Sequence, residues 1–140
     1  MSPSLTVEED PDLLEILRNA RTIAVVGASA DPSRDSNLIA QFLIKEGYDV
    51  IPVNPKYAEV LGRRCFPTVA SIGRHVDIVD VFRRGEYMQE TAQDAVEAKA
   101  QVLWMQLGIE NGDAARIAAD AGLRVVMNRC IMVEHRRLLR

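Results

Sequence analysis

Two features of this sequence could do chemistry: a glycine-containing loop that follows an apolar segment, and cations near it in the sequence. The loop begins with Gly27, Ala28 and Ser29, directly after a short run of mostly apolar, β-branched residues. A glycine at such a point lets the backbone turn tightly and approach a phosphate without a Cβ in the way. Lys56 and Arg34 carry ammonium and guanidinium groups, which pair strongly with phosphate oxygens. These residues predict a site for a phosphate-bearing ligand.

The loop departs from the G-x-G-x-x-G pattern of dinucleotide-binding domains, because one of the three glycines is present. Such domains also place an acidic residue at the end of the second strand, where it bonds a ribose hydroxyl. Here Asn54, Pro55 and Lys56 occupy that position. Both departures weaken an NAD interpretation and favour a ligand with additional phosphate. Arg63 and Arg64 lie nearby in the sequence, but for them we favour the simpler interpretation of exposed solubilising charges.

A helix is predicted after the loop, over 36–46, with Ser36 as its N-cap and Gly47 at its end. The amino end of a helix presents unpaired N–H groups and about half a positive charge, so we expect it to face an anionic group. Arg34 and Asn37 lie at this end of the helix and are included in the predicted ligand-binding set.

Apolar runs that favour strands alternate with segments of helical periodicity along the rest of the chain. Pro52 cannot donate to a ladder, so we expect its strand to have only a rudimentary neighbour on one side. A short helical turn is predicted at 57–61 and a very short edge strand at 65–66. The predicted strands are 22–26, 48–53, 77–82, 101–105 and 124–127, and the predicted helices are 10–20, 36–46, 86–99, 133–139 and one that Asn111 caps and Gly122 ends.

This alternation predicts a Rossmann-like α/β fold with three layers: a mainly parallel sheet of five or six strands, and helices on both faces. We expect residues 1–140 to form a single domain, with residues 1–10 partly disordered. Right-handed crossovers place the carboxyl ends of the strands along one edge, where such sheets bind ligands. Phe82, Arg83, Gln106 and Gly108 follow strands at this edge. The residues gathered there include amides, cations and an aromatic ring, but little that does chemistry.

The composition argues against several classes of function. A net charge of −3 with only short basic clusters is unlike a general nucleic-acid binder. The apolar runs are far shorter than a membrane span requires. Cys65, Cys130, His75 and His135 are isolated in the sequence, so no metal site is predicted. Two thiols without C-x-x-C spacing and an acidic N-terminal segment suit a cytoplasmic protein in a reducing compartment.

Candidate catalytic groups are few, and we predict no catalytic residue. Asp77 and Asp80 are three apart along a strand and so point to opposite faces, which prevents them from sharing a proton. We expect Asp80 to anchor a loop N–H group. Glu134 and His135 diverge on a helix and are expected to face solvent. Cys130 is expected to be buried and inert.

Seven short motifs, in their joint order and spacing, resemble the small, stand-alone CoA-binding domain proteins. These are related to the CoA-binding N-terminal domain of the succinyl-CoA synthetase α-subunit and of nucleoside-diphosphate-forming acyl-CoA synthetases. The resemblance covers about residues 18–138. The motifs are 25–29, 47–48, 51–56, 79–84, 104–109, 128–131 and 134–135.

The resemblance implies that coenzyme A binds at the carboxyl edge of the sheet. Arg34, Asn37, Asn54 and Pro55 complete the predicted cofactor-binding set. The contacts that the resemblance implies are those of Gly27, Ala28 and Ser29 with pyrophosphate oxygens, of Lys56 with a phosphate of the adenosine end, of Phe82 and Arg83 with the adenine or the start of the pantetheine arm, and of Gln106 and Gly108 with the path of that arm.

We therefore predict a non-catalytic module that binds CoA or an acyl-CoA, as a carrier or sensor, with no nucleic-acid or membrane partner. Ligase activity is not carried over, because the synthetase relatives use a phosphorylated histidine in a second domain. Two alternatives stay open: an NAD(P)-binding oxidoreductase, and an interaction protein whose nucleotide fold has lost its ligand. The sequence identifies neither the acyl group, nor the oligomeric state, nor a protein partner.

Overall fold

The computed structural model describes residues 5–83, 85 and 87–139. In chain order its elements are α1 (Asp10–Asn19), β1 (Thr22–Val26), α2 (Asp35–Lys45), β2 (Asp49–Val53), β3 (Glu59–Val60), β4 (Arg63–Arg64), a 3₁₀ turn (Ala70–Ile72), β5 (Ile78–Val81), α3 (Tyr87–Glu97), β6 (Val102–Met105), α4 (Gly112–Asp120), β7 (Arg124–Val126) and α5 (Ile131–Leu138).

The five long strands form one parallel sheet in the order β2-β1-β5-β6-β7. Helices α1, α2 and α5 pack on one face, and α3 and α4 pack on the other. Both clusters of buried side chains are apolar, because a parallel sheet covered on both faces must bury each strand almost completely. The predicted Rossmann-like fold, with three layers and helices on both faces, is confirmed. Within the described residues, no helix is long and apolar enough to cross a membrane.

The segment after β2 differs from its predicted form. Instead of a helical turn at 57–61, β3 and β4 form an antiparallel hairpin. Leu61 and Gly62 join the two strands with φ angles of 54° and 73°, and positive φ at both central residues is typical of tight hairpin turns. The spacing of apolar residues in the sequence could not reveal this hairpin, because its turn depends on backbone angles.

The edge of the sheet explains why Pro52 is tolerated. The predicted strand at 65–66 is reduced to a single parallel bridge between Val53 and Phe66. The Phe66 N–H donates to the Pro52 carbonyl at 3.0 Å, so Pro52 turns its backbone groups toward this outer side. Its missing N–H therefore leaves the pairing of β2 with β1 intact.

Two helix starts also differ from the predictions. Ser36 does not cap α2: the helix begins at Asp35, Arg34 holds the N-cap position, and Ser36 is buried in the first turn. Helix α5 begins two residues earlier than predicted, at Ile131, whose N–H donates to Gln106 Oε1 at 3.1 Å. The predicted start of α3 at residue 86, and residue 84 of the fourth motif, lie outside the described residues.

A carboxyl group is buried in the central strand. Asp80 lies between Val25 and Trp104 in the sheet register, is fully buried, and has no hydrogen-bond partner for either oxygen among the described residues. Burial raises the pKa of Asp80 well above its usual value. The prediction that Asp80 anchors a loop N–H is wrong. Asp77 does so instead, since its Oδ2 accepts from the N–H groups of Arg21 and Thr22 at 2.8 and 3.0 Å.

The raised pKa of Asp80 makes folding stability fall as pH rises. Above the usual value of 3.8, the unfolded chain releases a proton that the folded protein retains. Stability then declines by up to about 1.4 kcal/mol per pH unit until the folded pKa is reached. We expect Asp80→Asn to match the parent near pH 4 and to exceed it in stability at pH 8, measured by urea unfolding.

Asp77 should have the opposite effect on how folding stability depends on pH, and Asp77→Asn tests this. Partial burial alone would raise the pKa of Asp77, but the N–H groups of Arg21 and Thr22 and the His75 ring outweigh it and lower the pKa. Its contribution is therefore present above the usual pKa and lost as pH falls. Asp77→Asn should destabilise the protein at pH 8 and much less at pH 3.

If Asp80→Asn kept the parent's decrease of folding stability with rising pH, Asp80 would not be the cause of that decrease.

Candidate functional site

A cleft of about 910 Å³ lies at the carboxyl edge of the sheet, beside the first turn of α2 and the start of α5. Its floor is formed where β1, β2, β5 and β6 end, which is the edge where a ligand was expected. Of the twelve predicted binding residues, five lie outside the lining, namely Ala28, Asn37, Pro55, Arg83 and Gly108, and seven line it, namely Gly27, Ser29, Arg34, Asn54, Lys56, Phe82 and Gln106.

Gly27 is required by the fold of the loop itself. Its φ is +88°, and a Cβ at this position would come within 3.3 Å of Phe82 Cβ. The N–H groups of Gly27 and Ala28 both donate to the Val53 carbonyl, at 2.9 and 3.3 Å. Because these two N–H groups are already paired, Gly27 and Ala28 contribute the shape of the site rather than hydrogen bonds from their N–H groups to a ligand.

Two asparagines hold the loop in place. Asn54 Nδ2 donates to the Ala28 carbonyl at 2.8 Å, and its Oδ1 accepts from the Lys56 N–H at 2.9 Å. Asn37 Nδ2 donates to the Ser29 carbonyl at 2.8 Å. These side chains tie the loop after β1 to the loop after β2 and to α2. They position the cleft walls, which is a different role from direct ligand contact.

The polar end of the cleft carries two cations that have no ion pair in the described parts of the chain. Lys56 and Arg34 are both exposed at its lining. Arg34 precedes α2, whose first N–H groups lack partners within the helix and add a partial positive charge. Asp31 and Asp35 also line this end, so its charge is balanced rather than strongly positive.

The loop carboxylate Asp31 is held by its own loop. Its Oδ1 accepts from the Ser33 N–H at 2.9 Å and from the Ser33 hydroxyl at 2.8 Å. These hydrogen bonds, with a smaller contribution from Arg34, lower the pKa of Asp31. Asp31 therefore stays ionised at neutral pH and shapes the loop.

Arg63 and Arg64 do not line the cleft. The interpretation favoured from the sequence likewise gave them no role in ligand binding. Arg63 lies 3.8 Å from Asp49, at the opposite end of β2. The Arg64 guanidinium lies over the Phe66 ring, 4.6 Å from its centroid. Both cations are therefore occupied on the hairpin side of the molecule.

The loop after β6 forms the other end of the cleft. Gln106 is buried, and its Oε1 caps α5 through the Ile131 N–H. Gly108, with φ of +88°, donates its N–H to Asn128 Oδ1 at 2.7 Å. Gly108 thus joins this loop to the end of β7 and does not face the cleft.

Pro55 and Arg83 lie on the opposite side of the strand ends, next to α3. They border a separate cavity of about 40 Å³. The Arg83 guanidinium lies 5.4 Å from the centroid of the Tyr87 ring. The structure thus separates these two residues from the cleft that holds Lys56 and Phe82.

Sequence reasoning missed most of the apolar lining. Tyr57 was assigned to a helical turn, but its hydroxyl lies 3.5 Å from Ser29 Oγ. Leu107 is an apolar residue between the polar Gln106 and a glycine, which was a usable signal. The other missed apolar lining residues are Leu38, Ile39, Ile109 and Met132.

The remaining candidate for proton transfer is structural. Glu134 and His135 are buried rather than solvent-facing, which corrects the prediction. Glu134 binds Arg129 at 3.0 Å and Arg137 at 2.8 Å. His135 packs edge-on against the rings of Phe42, in α2, and Tyr48, which precedes β2. Cys130 is half-buried at the cleft, not enclosed in the core as expected.

Comparison with known proteins assigns the chain to a family. The family model of the CoA binding domain matches residues 21–136, which include every element from β1 to β7 and all but the last two residues of α5. The chain belongs to the CoA-binding domain family. The predicted resemblance is confirmed.

Members and relatives of the CoA-binding domain family match most of this chain. The uncharacterized protein YneT of Bacillus subtilis is 38% identical over 124 residues, which are 89% of this chain and 92% of YneT. A solved structure of a hypothetical protein from Pyrococcus horikoshii is 43% identical, with a TM-score of 0.93 and complete coverage of both chains.

The family also extends to larger enzymes. The ADP-forming acetate–CoA ligase I of Archaeoglobus fulgidus is 27% identical over 128 residues, which are 84% of this chain but only 19% of the ligase. This chain is homologous to the CoA-binding N-terminal part of such ADP-forming synthetases.

In this CoA-binding domain, Asn54→Ala tests the anchoring role of the asparagine. The substitution leaves the Ala28 carbonyl and the Lys56 N–H without these partners. We expect the free energy of unfolding to fall by about 1–3 kcal/mol, measured by urea denaturation. Asn19→Ala is the matched control, because Asn19 is exposed at the end of α1, and it should change stability by less than about 0.5 kcal/mol. Equal effects of the two substitutions would contradict the anchoring role.

Proposed function

We propose that this protein binds coenzyme A or an acyl-CoA in the cleft at the carboxyl edge of the sheet, as a non-catalytic binding module such as a carrier or sensor. The observation on which this rests is that two cations, Lys56 and Arg34, line this cleft in a CoA-binding domain and form no salt bridge within the described residues. Its volume of about 910 Å³ lies near the upper end of the usual range for ligand pockets, as an extended ligand requires.

The polar end suits the phosphates of CoA. Lys56 offers an ammonium group at the end of β2, and the first turn of α2 offers N–H groups beside it. A phosphate on the ribose distinguishes CoA from NAD, and a lysine is a suitable partner for it. We assign the 3′-phosphate of CoA to Lys56.

The residue at the end of β2 also argues against NAD as the ligand. Asn54 replaces the carboxylate that would bond the ribose, and both ends of its amide are already engaged in the loop. The comparisons likewise do not favour the oxidoreductase hypothesis, since the matching family is a CoA binding domain.

Two carboxyl groups near the cleft are poorly suited to acid–base catalysis. Efficient general acid–base catalysis needs a group with a pKa near the working pH. Asp31 lines the cleft, but its pKa is lowered. Asp80 has a raised pKa, but it does not line the cleft. Neither carboxyl group combines access to a ligand with a pKa suited to proton transfer.

The first test is ligand binding by ligand-free protein in reducing buffer. CoA at about 100 times its dissociation constant adds roughly 2.7 kcal/mol of stability, which should raise the unfolding midpoint by roughly 5–10 °C. We expect a smaller rise with 3′-dephospho-CoA and little rise with NAD or NADP at the same concentration. Stabilisation by NAD or NADP without stabilisation by CoA would replace this proposal with the oxidoreductase hypothesis.

Lys56→Glu tests the assignment of the 3′-phosphate. Loss of a charge-assisted contact of about 1.5–3 kcal/mol should weaken CoA binding roughly 10- to 100-fold, measured by calorimetry. The affinity for 3′-dephospho-CoA should change much less, because that ligand lacks the partner group. An equal loss for both ligands would place Lys56 at the pyrophosphate instead.

Lys45→Glu is the matched control for charge. Lys45 is exposed in the last turn of α2, and 11 residues of helix place it about 16 Å from the end that borders the cleft. The substitution changes the net charge by the same amount, so it should leave CoA affinity within about twofold of the parent. Unchanged CoA affinity in Lys56→Glu would contradict a phosphate site at this residue.

A further inference from the structure

Apolar side chains are exposed on one wall of the cleft. Leu107 is 64% exposed and Leu38 is 53% exposed, and both line the cleft. Ile109 and Met132 lie in the same lining. We call these four residues the apolar wall. Scattered exposed leucines are ordinary, but apolar residues that share one cleft indicate a surface that a ligand covers.

Leu107 and Ile109 lie away from the phosphate end, whereas Leu38 is in the first turn of α2, close to Arg34. Lys56 follows β2, at one edge of the sheet, whereas Leu107 and Ile109 follow β6. The order β2-β1-β5-β6 separates these strands by three spacings, or about 14 Å. Met132 adds to the wall from α5, which packs against α2, the helix that contributes Leu38. The cleft thus places Lys56 above β2 and the exposed Leu107 above β6.

We propose that the cleft selects CoA thioesters with an apolar acyl chain over free CoA, with the chain lying on the apolar wall. This inference rests on the proposed function. A ligand whose 3′-phosphate lies at Lys56 and whose pantetheine arm passes Gln106 brings its sulfur and any acyl group to the far end of the cleft, at Leu107 and α5. A neutral hydrocarbon chain there removes leucine surface from water, whereas a charged acyl group would lose hydration without gaining a partner from these side chains.

The experiment is a titration of the protein with CoA and with acetyl-, butanoyl-, hexanoyl- and succinyl-CoA by calorimetry. Each methylene buried on the wall should raise affinity, by roughly two- to fourfold when well covered. Hexanoyl-CoA should therefore bind at least about tenfold more tightly than free CoA, and succinyl-CoA should bind more weakly than butanoyl-CoA.

Leu107→Asn locates the acyl chain. Because Leu107 is exposed, the substitution should fold normally and should lower the ratio of hexanoyl-CoA to CoA affinity by about fivefold. Val133→Asn is the matched control: Val133 is 52% exposed on α5 and lies outside the cleft lining, so this ratio should stay within about twofold of the parent.

The outcomes separate this inference from the proposed function. Equal affinities for CoA and hexanoyl-CoA, or tighter binding of succinyl-CoA, would overturn the acyl selectivity while CoA binding stands. An unchanged affinity ratio in Leu107→Asn would also overturn it, because the chain would then lie elsewhere. Failure of every CoA compound to bind would overturn the proposed function and this inference together.

Discussion

The site depends on one backbone carbonyl, that of Val53 at the end of β2. It accepts the N–H groups of both Gly27 and Ala28, so the chain leaving β1 is drawn toward the neighbouring strand before it turns into the loop. That path needs a positive φ at Gly27 and brings its Cα close to Phe82, where an added Cβ would make a tight contact of 3.3 Å with Phe82 Cβ. The glycine is fixed by backbone pairing and close packing, whatever the cleft binds.

Amide side chains extend this constraint outward. Asn54 fastens the Ala28 carbonyl to the loop after β2, and Gln106 fastens the loop after β6 to the start of α5. Each of these amides makes a hydrogen bond to a backbone group. A buried backbone group without such a partner would destabilise the fold. The cleft therefore has a preformed shape, and the side chains that reach into it, such as Lys56 and Leu107, stand on loops that the amides hold.

The sheet and its order of elements were predictable because buried parallel strands produce continuous apolar runs that composition and spacing reveal. The hairpin of β3 and β4 was not, because its turn at Leu61 and Gly62 depends on local backbone angles. The cleft was predictable as a location, since strand ends must meet at one edge. The roles of the residues in the cleft were not predictable. The sequence shows that Asn54 lies at this edge, but not that both ends of its amide face backbone partners.

Asp80, in the core, is a second residue whose surroundings the sequence could not predict. Its effect is on folding stability and not on the cleft. Strand alternation predicts which face its carboxyl group points to, but not that the group lies between Val25 and Trp104 with no hydrogen-bond partner in the described part of the chain. Burial favours its neutral form, so Asp80 lowers folding stability increasingly as pH rises. Lys56 and the exposed leucines line the cleft above the strand ends, and their substitution should change folding stability little. The buried Asp80 and the exposed lining residues Lys56 and Leu107 are thus separate groups of the molecule. Exposed lining residues can therefore be substituted without altering the sheet that positions them.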